Sequence, residues 1–484
     1  MKLSDLLLKI NIVEITGLDN RVISNVNFDS NNIKKNGLFV AIKGTVTDGH
    51  KYIENSIISG ASVIVLEFYP EIIHSNITYV LVKNSASALS IIASNLFNNP
   101  SRRIKLIGVT GTNGKTTIVS LLNQLFTLLN KKTGMLSTIE NLIINKIIPS
   151  THTTPDPLQI NSMLNEMIES GCEYCFMEVS SHSLNQKRVE GLNFSGAVFT
   201  NLTNDHLDYH NTFSEYRDVK KSFFDYLDKN AFALINKDDK NGKKMLEGTK
   251  ANKLTYALKS MADYSCKLVE SHFDGMHLKI NHLDVWVKLI GEFNAYNLLA
   301  VYAVAKQFDF EESEILTALS VLKSAEGRFQ LVKNQNSITG IIDYAHTEDA
   351  LKNVLVTINK LKSSSQKLIT IIGCGGNRDK TKRPMMAKVA CNLSSLVVIT
   401  SDNPRFENPE NIIDDMVSTL DNNQMKKVIS ISNRRQAIMA AGKLANNNDI
   451  ILLAGKGHEK YQEINGKKSP FDDIKELKKS LNII

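Results

Sequence analysis

The stretch that most constrains this chain is Gly111-Thr112-Asn113-Gly114-Lys115-Thr116-Thr117. Ahead of it, Ile104-Lys105-Leu106-Ile107-Gly108-Val109-Thr110 is a short apolar run suited to a buried strand. Behind it, Ile118 to Phe126 carries apolar residues at helical spacing. Strand, glycine turn and helix are the context of a phosphate-binding loop. The glycines let backbone N–H groups face phosphate oxygens, and the helix start adds partial positive charge. Lys115 can reach terminal phosphates, and the Thr116 hydroxyl can ligate Mg²⁺. The longer P-loop pattern begins with a glycine where this chain has Val109, so the loop is a shortened variant.

The 484 residues allow about three domains. Hydrophobic content of 42% and charged content of 22% fit a soluble globular protein. The net charge of +7 is mild, and no Lys/Arg run suggests nucleic-acid binding. Charges interrupt the leucines of Met1 to Lys9, so no signal-peptide core is expected. No apolar run reaches the roughly 18 residues of a membrane span. The five cysteines, an odd and sparse set, suit a reducing cytoplasm. Cys172-Glu173-Tyr174-Cys175 has no second pair for zinc and reads as two ordinary cysteines.

Residues 1–98 read as a small α/β binding unit, with strands at Gly37–Ile42, Ala61–Leu66 and Thr78–Val82. Asn98-Asn99-Pro100-Ser101 is a linker. Residues 99–330 read as a central P-loop NTPase-like domain, a parallel sheet with helices on both faces. Its strands near Phe176 and Ala197 run into Glu178-Val179-Ser180-Ser181-His182 and Asn201 to His210. Ligands of open α/β sheets sit off the carboxyl ends of strands, so Glu178 and His206 should lie where Lys115 points. Residues 331–484 read as a Rossmann-like domain. Its four strands end in Asp343-Tyr344-Ala345-His346, Cys374-Gly375-Gly376-Asn377-Arg378, Ser401-Asp402-Asn403-Pro404-Arg405 and Gly455-Lys456-Gly457-His458-Glu459.

Glu178 suits Mg²⁺ beside ATP; an imidazole such as His206 is a less usual magnesium ligand. Each is also compatible with an ordinary solvated strand end. Asp343 to His346 is equally compatible with nucleotide binding and with a plain turn. Lys220, within a helical segment, reads from composition as a solvated lysine.

These residues together resemble the Mur ligases, ATP-dependent amide-bond-forming enzymes of peptidoglycan precursor synthesis. The motifs that carry the resemblance are Gly111 to Thr117, Glu178 to His182, Asn201 to His210, Asn294, Arg328 and Asp343 to His346, in order along nearly the whole chain. The resemblance implies ATP contacts at Gly111, Thr112, Asn113, Gly114, Lys115, Thr116, Thr117, Asn294, Arg328 and Asp343. It implies catalytic roles for Lys115, Lys220 and His206, and Mg²⁺ at Thr116, Glu178, His206 and Lys220, the last as a carbamate. It is nearest to the member that adds the third peptide residue to UDP-N-acetylmuramoyl-L-alanyl-D-glutamate. On that likeness, Ser30, His50, Thr153, Thr154, Ser180, Gln186 and Arg188 hold the UDP-muramoyl dipeptide. Asn31 stands where the family often has arginine, and Glu348 where it often has proline.

Asp402-Asn403-Pro404-Arg405 resembles the signature of members that use meso-diaminopimelate. A guanidinium can clamp that substrate's distal carboxylate, which lysine lacks. Arg378, Gly455 and Glu459 match the remaining contacts, with Glu459 suited to the distal ammonium. The implied enzyme is a cytoplasmic monomer acting on small molecules, through an acyl phosphate, with a hinge near residue 330. The alternatives are the same ligase adding L-lysine, a folylpolyglutamate synthetase-like ligase, and a nucleotide-gated binding protein.

Overall fold

The computed structural model describes residues 1–484 except 45–46, 207–208, 335–337 and 484. Leu207 and Asp208 of the polar turn after Asn201 therefore lie outside the described residues. The chain forms three α/β units, each built on its own sheet.

The first sheet has the order Ile12–Thr16, Thr78–Val82, Ala61–Leu66, Gly37–Val40, Val26–Asn27. Only the Ile12–Thr16 strand is antiparallel to its neighbour. Ala61–Leu66 is buried throughout, as a continuous apolar run in a parallel sheet should be. Helix Ser85–Leu96 covers this sheet, and hydroxyls on it tie the first unit to the second. Ser90 Oγ donates to the Lys187 carbonyl at 2.6 Å, and Ser87 Oγ to Glu190 Oε2 at 2.9 Å.

The second sheet has eleven strands. Lys105–Thr110 lies between Tyr174–Glu178 and Gly196–Phe199, parallel to both, so the glycine loop and Glu178 leave the same end of the sheet. The expected parallel sheet forms the centre, and antiparallel strands extend it at its two edges. Glu140–Ile143 and Lys146–Pro149 pair antiparallel on one side, and Tyr264–His272, Gly275–Ile280 and Leu283–Val287 on the other. The cause is the connections. A two-residue turn can join only antiparallel neighbours, and Asn281 and His282 adopt the positive φ (44° and 76°) that such a turn needs. Helix Lys115–Leu128 packs on helix Glu292–Ala305, and both enter one apolar core with the sheet.

The third sheet runs Gln330–Lys333, Thr339–Asp343, Ile450–Ala454, Leu368–Ile372, Leu396–Ile399, Val428–Ser430. Its first strand is an antiparallel edge and the rest are parallel, as in a Rossmann-like sheet. A separate hairpin, Tyr461–Ile464 with Lys467–Pro470, folds over its mouth. Among the described residues no helix is long and apolar enough to cross a membrane. All five cysteines are free and buried.

The final helix, Asp473–Ser480, is fixed to the third unit by a buried bidentate ion pair. Arg434 Nε and Nη2 donate to the two Asp473 oxygens at 2.8 and 2.6 Å. Asp473→Ala leaves that guanidinium buried without its counter-charge. The expected cost is about 3–5 kcal/mol to the third unit, read by chemical denaturation.

Candidate functional site

A cleft of about 540 Å³ opens between the second and third units. The glycine loop forms its floor. Gly111 has φ +146°, and a Cβ there would lie 1.9 Å from Thr200 Oγ1. Gly114 has φ +91°, and a Cβ there would lie 2.7 Å from Asn297 Oδ1. Neither position admits a side chain without displacing its neighbour. Asn201 holds the loop from beneath: its carbonyl accepts from Thr112 N at 2.8 Å and its Oδ1 from Asn113 N at 3.0 Å.

Lys115 folds back over the loop, donating to the carbonyls of Gly111 and Thr112 at 2.9 Å each. Burial pulls its pKa below the usual lysine range; Glu178 and Asp205 oppose that pull, and Arg328 adds to it. Lys220 donates to the same Gly111 carbonyl, also at 2.9 Å. Helix Phe213–Asp225 turns Tyr216, Lys220, Phe223 and Phe224 inward, which is the i, i+4, i+7, i+8 face. Lys220 is therefore buried, 4.8 Å from the centre of the Tyr216 ring. Lys221, one step round the helix, pairs instead with Asp225 at 2.6 Å. Burial holds the Lys220 amine well below its usual pKa; Lys115 reinforces this and Asp205 opposes it.

Glu178 is fully buried. Its Oε1 accepts from Thr138 N at 2.8 Å, while Oε2 has no hydrogen-bond partner among the described residues. A buried carboxylate oxygen without a partner suits a cation, and Thr116 stands on the same cleft wall. Among the described residues no three His, Cys, Asp or Glu side chains group as a metal site. His206 has φ +56°, and its Nε2 lies 3.5 Å from Asp205 Oδ2. Burial pushes its pKa down to about 3 against Asp205, with His182, Lys115 and Lys220 adding to the fall. The ring is therefore neutral at pH 7, the form a metal ligand needs.

Arg328, in the link that leads into the third unit, reaches across the cleft. Its Nη2 donates to Thr116 Oγ1 at 3.2 Å, and its guanidinium stacks 4.3 Å from the Tyr344 ring centre. Asp343 and Asn294 also line the cleft, but the hydrogen bonds they make are internal. Asp343 accepts from Phe329 N and Ala345 N at 2.7 Å each. Asn294 donates to the Ile290 carbonyl at 2.8 Å and accepts from Asn297 at 3.1 Å. Both hold the cleft's walls in place.

A second cluster lies beside the cleft, where the first unit meets the second. Thr154 Oγ1 donates to the Glu178 carbonyl at 2.8 Å and accepts from Ser180 N at 3.1 Å. Arg188 donates to Gln186 Oε1 at 2.6 and 3.0 Å and to the Thr154 carbonyl at 2.8 Å. Thr153 accepts from Thr138 Oγ1 at 3.1 Å. Ser30 and His50 lie apart from this cluster, in turns of the first unit capped by Asp29 and Asp48. Both His50 nitrogens are engaged within that unit: Nδ1 with Asp48 at 2.7 Å, and Nε2 accepting from Glu67 N at 3.0 Å. The His50 ring is itself buried, stacked on the half-exposed Phe68 at 4.1 Å.

The third cluster gathers at the carboxyl ends of the third sheet. Arg405 donates through Nη1 to the Gly376 carbonyl at 2.8 Å, and its Nε lies 3.7 Å from Glu463. A Cβ on Gly375 would sit 2.9 Å from Arg405 Nη1 and 3.8 Å from Arg378 Cγ, so two arginine chains flank this glycine. Asn403 donates to Glu459 Oε2 at 2.8 Å. Asp402 is buried, and Gly455, with φ +112°, passes close to it. Pro404 accepts through its carbonyl from Glu407 N at 3.0 Å, which closes the turn. Two participants escaped the sequence reading. Thr138 holds Glu178 through its backbone, which no side-chain pattern reveals. Lys456 sits wholly buried against Glu459 at 3.1 Å; its position between two glycines was its only signal.

Three family descriptions match the chain in order. They are the Mur ligase catalytic domain over residues 22–96, the Mur ligase middle domain over 109–305, and the Mur ligase glutamate ligase domain over 327–457. A Parabacteroides distasonis protein named UDP-N-acetylmuramoyl-L-alanyl-D-glutamate–2,6-diaminopimelate ligase is 50% identical over 478 residues, spanning 99% of this chain and 98% of that one. A solved structure of a ligase with that same name is 30% identical, with a TM-score of 0.70 over 100% of this chain and 99% of that one. The ADP and AMPPCP complexes of Mycobacterium tuberculosis folylpolyglutamate synthase share the fold at 16% identity and TM-score 0.62, over 76% of this chain and 92% of that one.

The glycine loop yields a direct expectation. Gly111→Ala must either move Thr200 or abandon its backbone conformation, at a cost of about 1–3 kcal/mol. Nucleotide affinity, measured by calorimetry, should fall by about 5- to 150-fold while the fold is retained.

Proposed function

The chain belongs to the Mur ligase family, and on that premise we propose that it joins 2,6-diaminopimelate to UDP-N-acetylmuramoyl-L-alanyl-D-glutamate at the expense of ATP, a step of peptidoglycan precursor synthesis. One observation carries this reading: Lys115, which lines the cleft together with Glu178 and Arg328, shares the Gly111 carbonyl with the buried Lys220 behind it. A simple nucleotide-gated binding protein has no need of that set.

We assign the uridine nucleotide to residues 1–98, ATP to 99–330 and the incoming amino acid to 331–484. The reaction is placed in the cytoplasm, in keeping with five free cysteines, and the enzyme is taken as a monomer. A carboxylate of the bound dipeptide attacks the γ-phosphate of ATP, giving an acyl phosphate and ADP. Lys115 and Arg328 offset the charge on the transferring group, which is the larger part of what a protein supplies to phosphoryl transfer. The amino group of diaminopimelate then attacks the acyl carbon. The tetrahedral intermediate collapses to an amide and releases phosphate. Thr154, Ser180, Gln186 and Arg188 hold the dipeptide beside the cleft, so its carboxylate enters near Lys115.

The neutral Lys220 amine is the form that adds CO₂, releasing a proton and leaving a carbamate. The reversal of charge turns a lysine into a carboxylate-like ligand next to Glu178 and Thr116, with His206 at the rim. Mg²⁺ held there supplies positive charge against the phosphate oxygens. Lys220→Ala should lower phosphate release by at least about a hundredfold, on the scale of losing one preorganised charged group. Lys221→Ala should be normal, and an inactive Lys221→Ala beside a normal Lys220→Ala would transfer the role.

Arg405 is assigned to the distal carboxylate of diaminopimelate. Arg405→Ala should raise the KM for that amino acid about 30-fold to several thousandfold, equivalent to about 2–5 kcal/mol. The KM values for ATP and the UDP-muramoyl dipeptide should change little. Competition between diaminopimelate and L-lysine, run in wild type and variant, is the decisive measurement. An unchanged preference for diaminopimelate would remove this role.

A further inference from the structure

Lys456 is the buried charge in the third unit that the reaction scheme leaves unused. Its side chain has 0% exposure, and its Nζ donates to Asn403 Oδ1 at 3.0 Å and to Glu459 Oε2 at 3.1 Å. We propose that Lys456 is a positioning residue of the amino-acid site, which holds Glu459 and Asn403 in the arrangement that receives the distal ammonium of diaminopimelate. The proposal rests on the preceding assignment of this cluster to the amino acid.

The hydrogen-bond chemistry determines the arrangement. Asn403 Oδ1 faces two groups that can only donate, the Lys456 ammonium and the Glu463 N–H at 3.0 Å. That atom must be the amide oxygen, so the amide nitrogen is directed to Glu459 Oε2, at 2.8 Å. Lys456 and Asn403 both donate to Oε2, which leaves Oε1 as the oxygen for a ligand. Charge balance favours the same role. Asp402 is a second buried carboxylate in this cluster, close enough to push the Glu459 pKa up alongside burial, while Lys456 counters both. Without that cation Glu459 is drawn toward its protonated form, which binds an ammonium poorly. Gly455 makes the geometry possible. At φ +112°, with its Cβ position 3.0 Å from Asp402 Oδ2, it brings Lys456 under the turn that carries Arg405.

A purely structural ion pair would behave differently when removed, and steady-state kinetics separates the two. Lys456→Met keeps the stem and deletes the ammonium. The KM for diaminopimelate should rise about tenfold or more, the scale of one charged hydrogen bond. The KM values for ATP and UDP-muramoyl dipeptide, and kcat at saturating diaminopimelate, should stay within about twofold. The double variant Lys456→Met/Glu459→Gln should fall well short of the product of the two single effects, because Lys456 acts largely through Glu459. If Lys456→Met fails to fold, judged by loss of its cooperative thermal unfolding transition, Lys456→Gln takes its place in the same comparison. An unchanged KM in a folded variant, independent and multiplying effects in the double variant, or a loss spread over all three substrates would each overturn the proposal. A wild-type Lys456→Met beside an impaired Arg405→Ala removes only Lys456. An unchanged diaminopimelate preference in Arg405→Ala removes the site assignment itself.

Discussion

One carbonyl oxygen, that of Gly111, accepts hydrogen bonds from both Lys115 and Lys220 at 2.9 Å. Two ammonium groups on one acceptor in a buried corner repel each other, and burial weakens the solvent's ability to screen them. Burial lowers the pKa of both amines. Lys115 has Glu178 and Asp205 nearby as counter-charges, whereas Lys220 has Asp205 and is opposed by Lys115. The carbamate proposed on Lys220 would replace the second positive charge at this corner with a negative one. The glycine at 111 is what allows this arrangement: with any Cβ in that place, Thr200 is displaced and the shared acceptor moves.

The same loop fixes the placement of the third unit. Asn113 donates to Asp349 across the cleft at 3.4 Å, and Arg328 donates to Thr116 at 3.2 Å. Lys360, on the helix that begins at Glu348, lies 3.6 Å from Glu292 of the second unit. These polar contacts are few and partly exposed, and beside them Ile290, Phe293 and Phe273 of the second unit pack against the apolar core of the third. The link between the units turns through Gly327 and Phe329, both at positive φ (67° and 47°), next to the residue 330 expected as the hinge. A turning link of this kind is compatible with the domain closure that the proposed reaction calls for.

Much of this was legible in the sequence, for definite reasons. Buried parallel strands announce themselves as near-continuous apolar runs, and Ala61–Leu66, Leu368–Ile372 and Ile450–Ala454 are legible in that way even with Ser62 and Thr370 among them. Ile12–Thr16 was missed because it is an edge strand with four exposed residues and an irregular register. The antiparallel extensions of the central sheet depend on tight turns at positions such as Asn281-His282, whose signal is one backbone angle and not a pattern. Lys220 shows the limit most sharply. Its side chain is buried on an apolar helical face beside Tyr216 and Phe223, yet on composition alone it reads as a surface lysine, and the resemblance to a family was needed to single it out. Lys456 had no such help, and its burial becomes visible only when the Asn403 turn is folded over it.

The amino-acid cluster and the nucleotide loop are also connected through packing. A Cβ on Gly327 would lie 2.2 Å from His458 N, and one on Gly457 would lie 2.8 Å from the Gly327 carbonyl. The loop bearing Lys456 and Glu459 therefore sits directly against the turn that carries Arg328, and Lys460 forms an ion pair with Glu326 in the same place. Arg328 in turn donates to Thr116, beside Lys115. Moving the third unit as a body would shift Arg328 and Glu459 together, because no slack separates their backbones. In the proposed reaction the acyl phosphate must meet an amine before it meets water. A contact that brings the phosphate-side arginine and the amine-side carboxylate into place in one movement meets that need without a second switch.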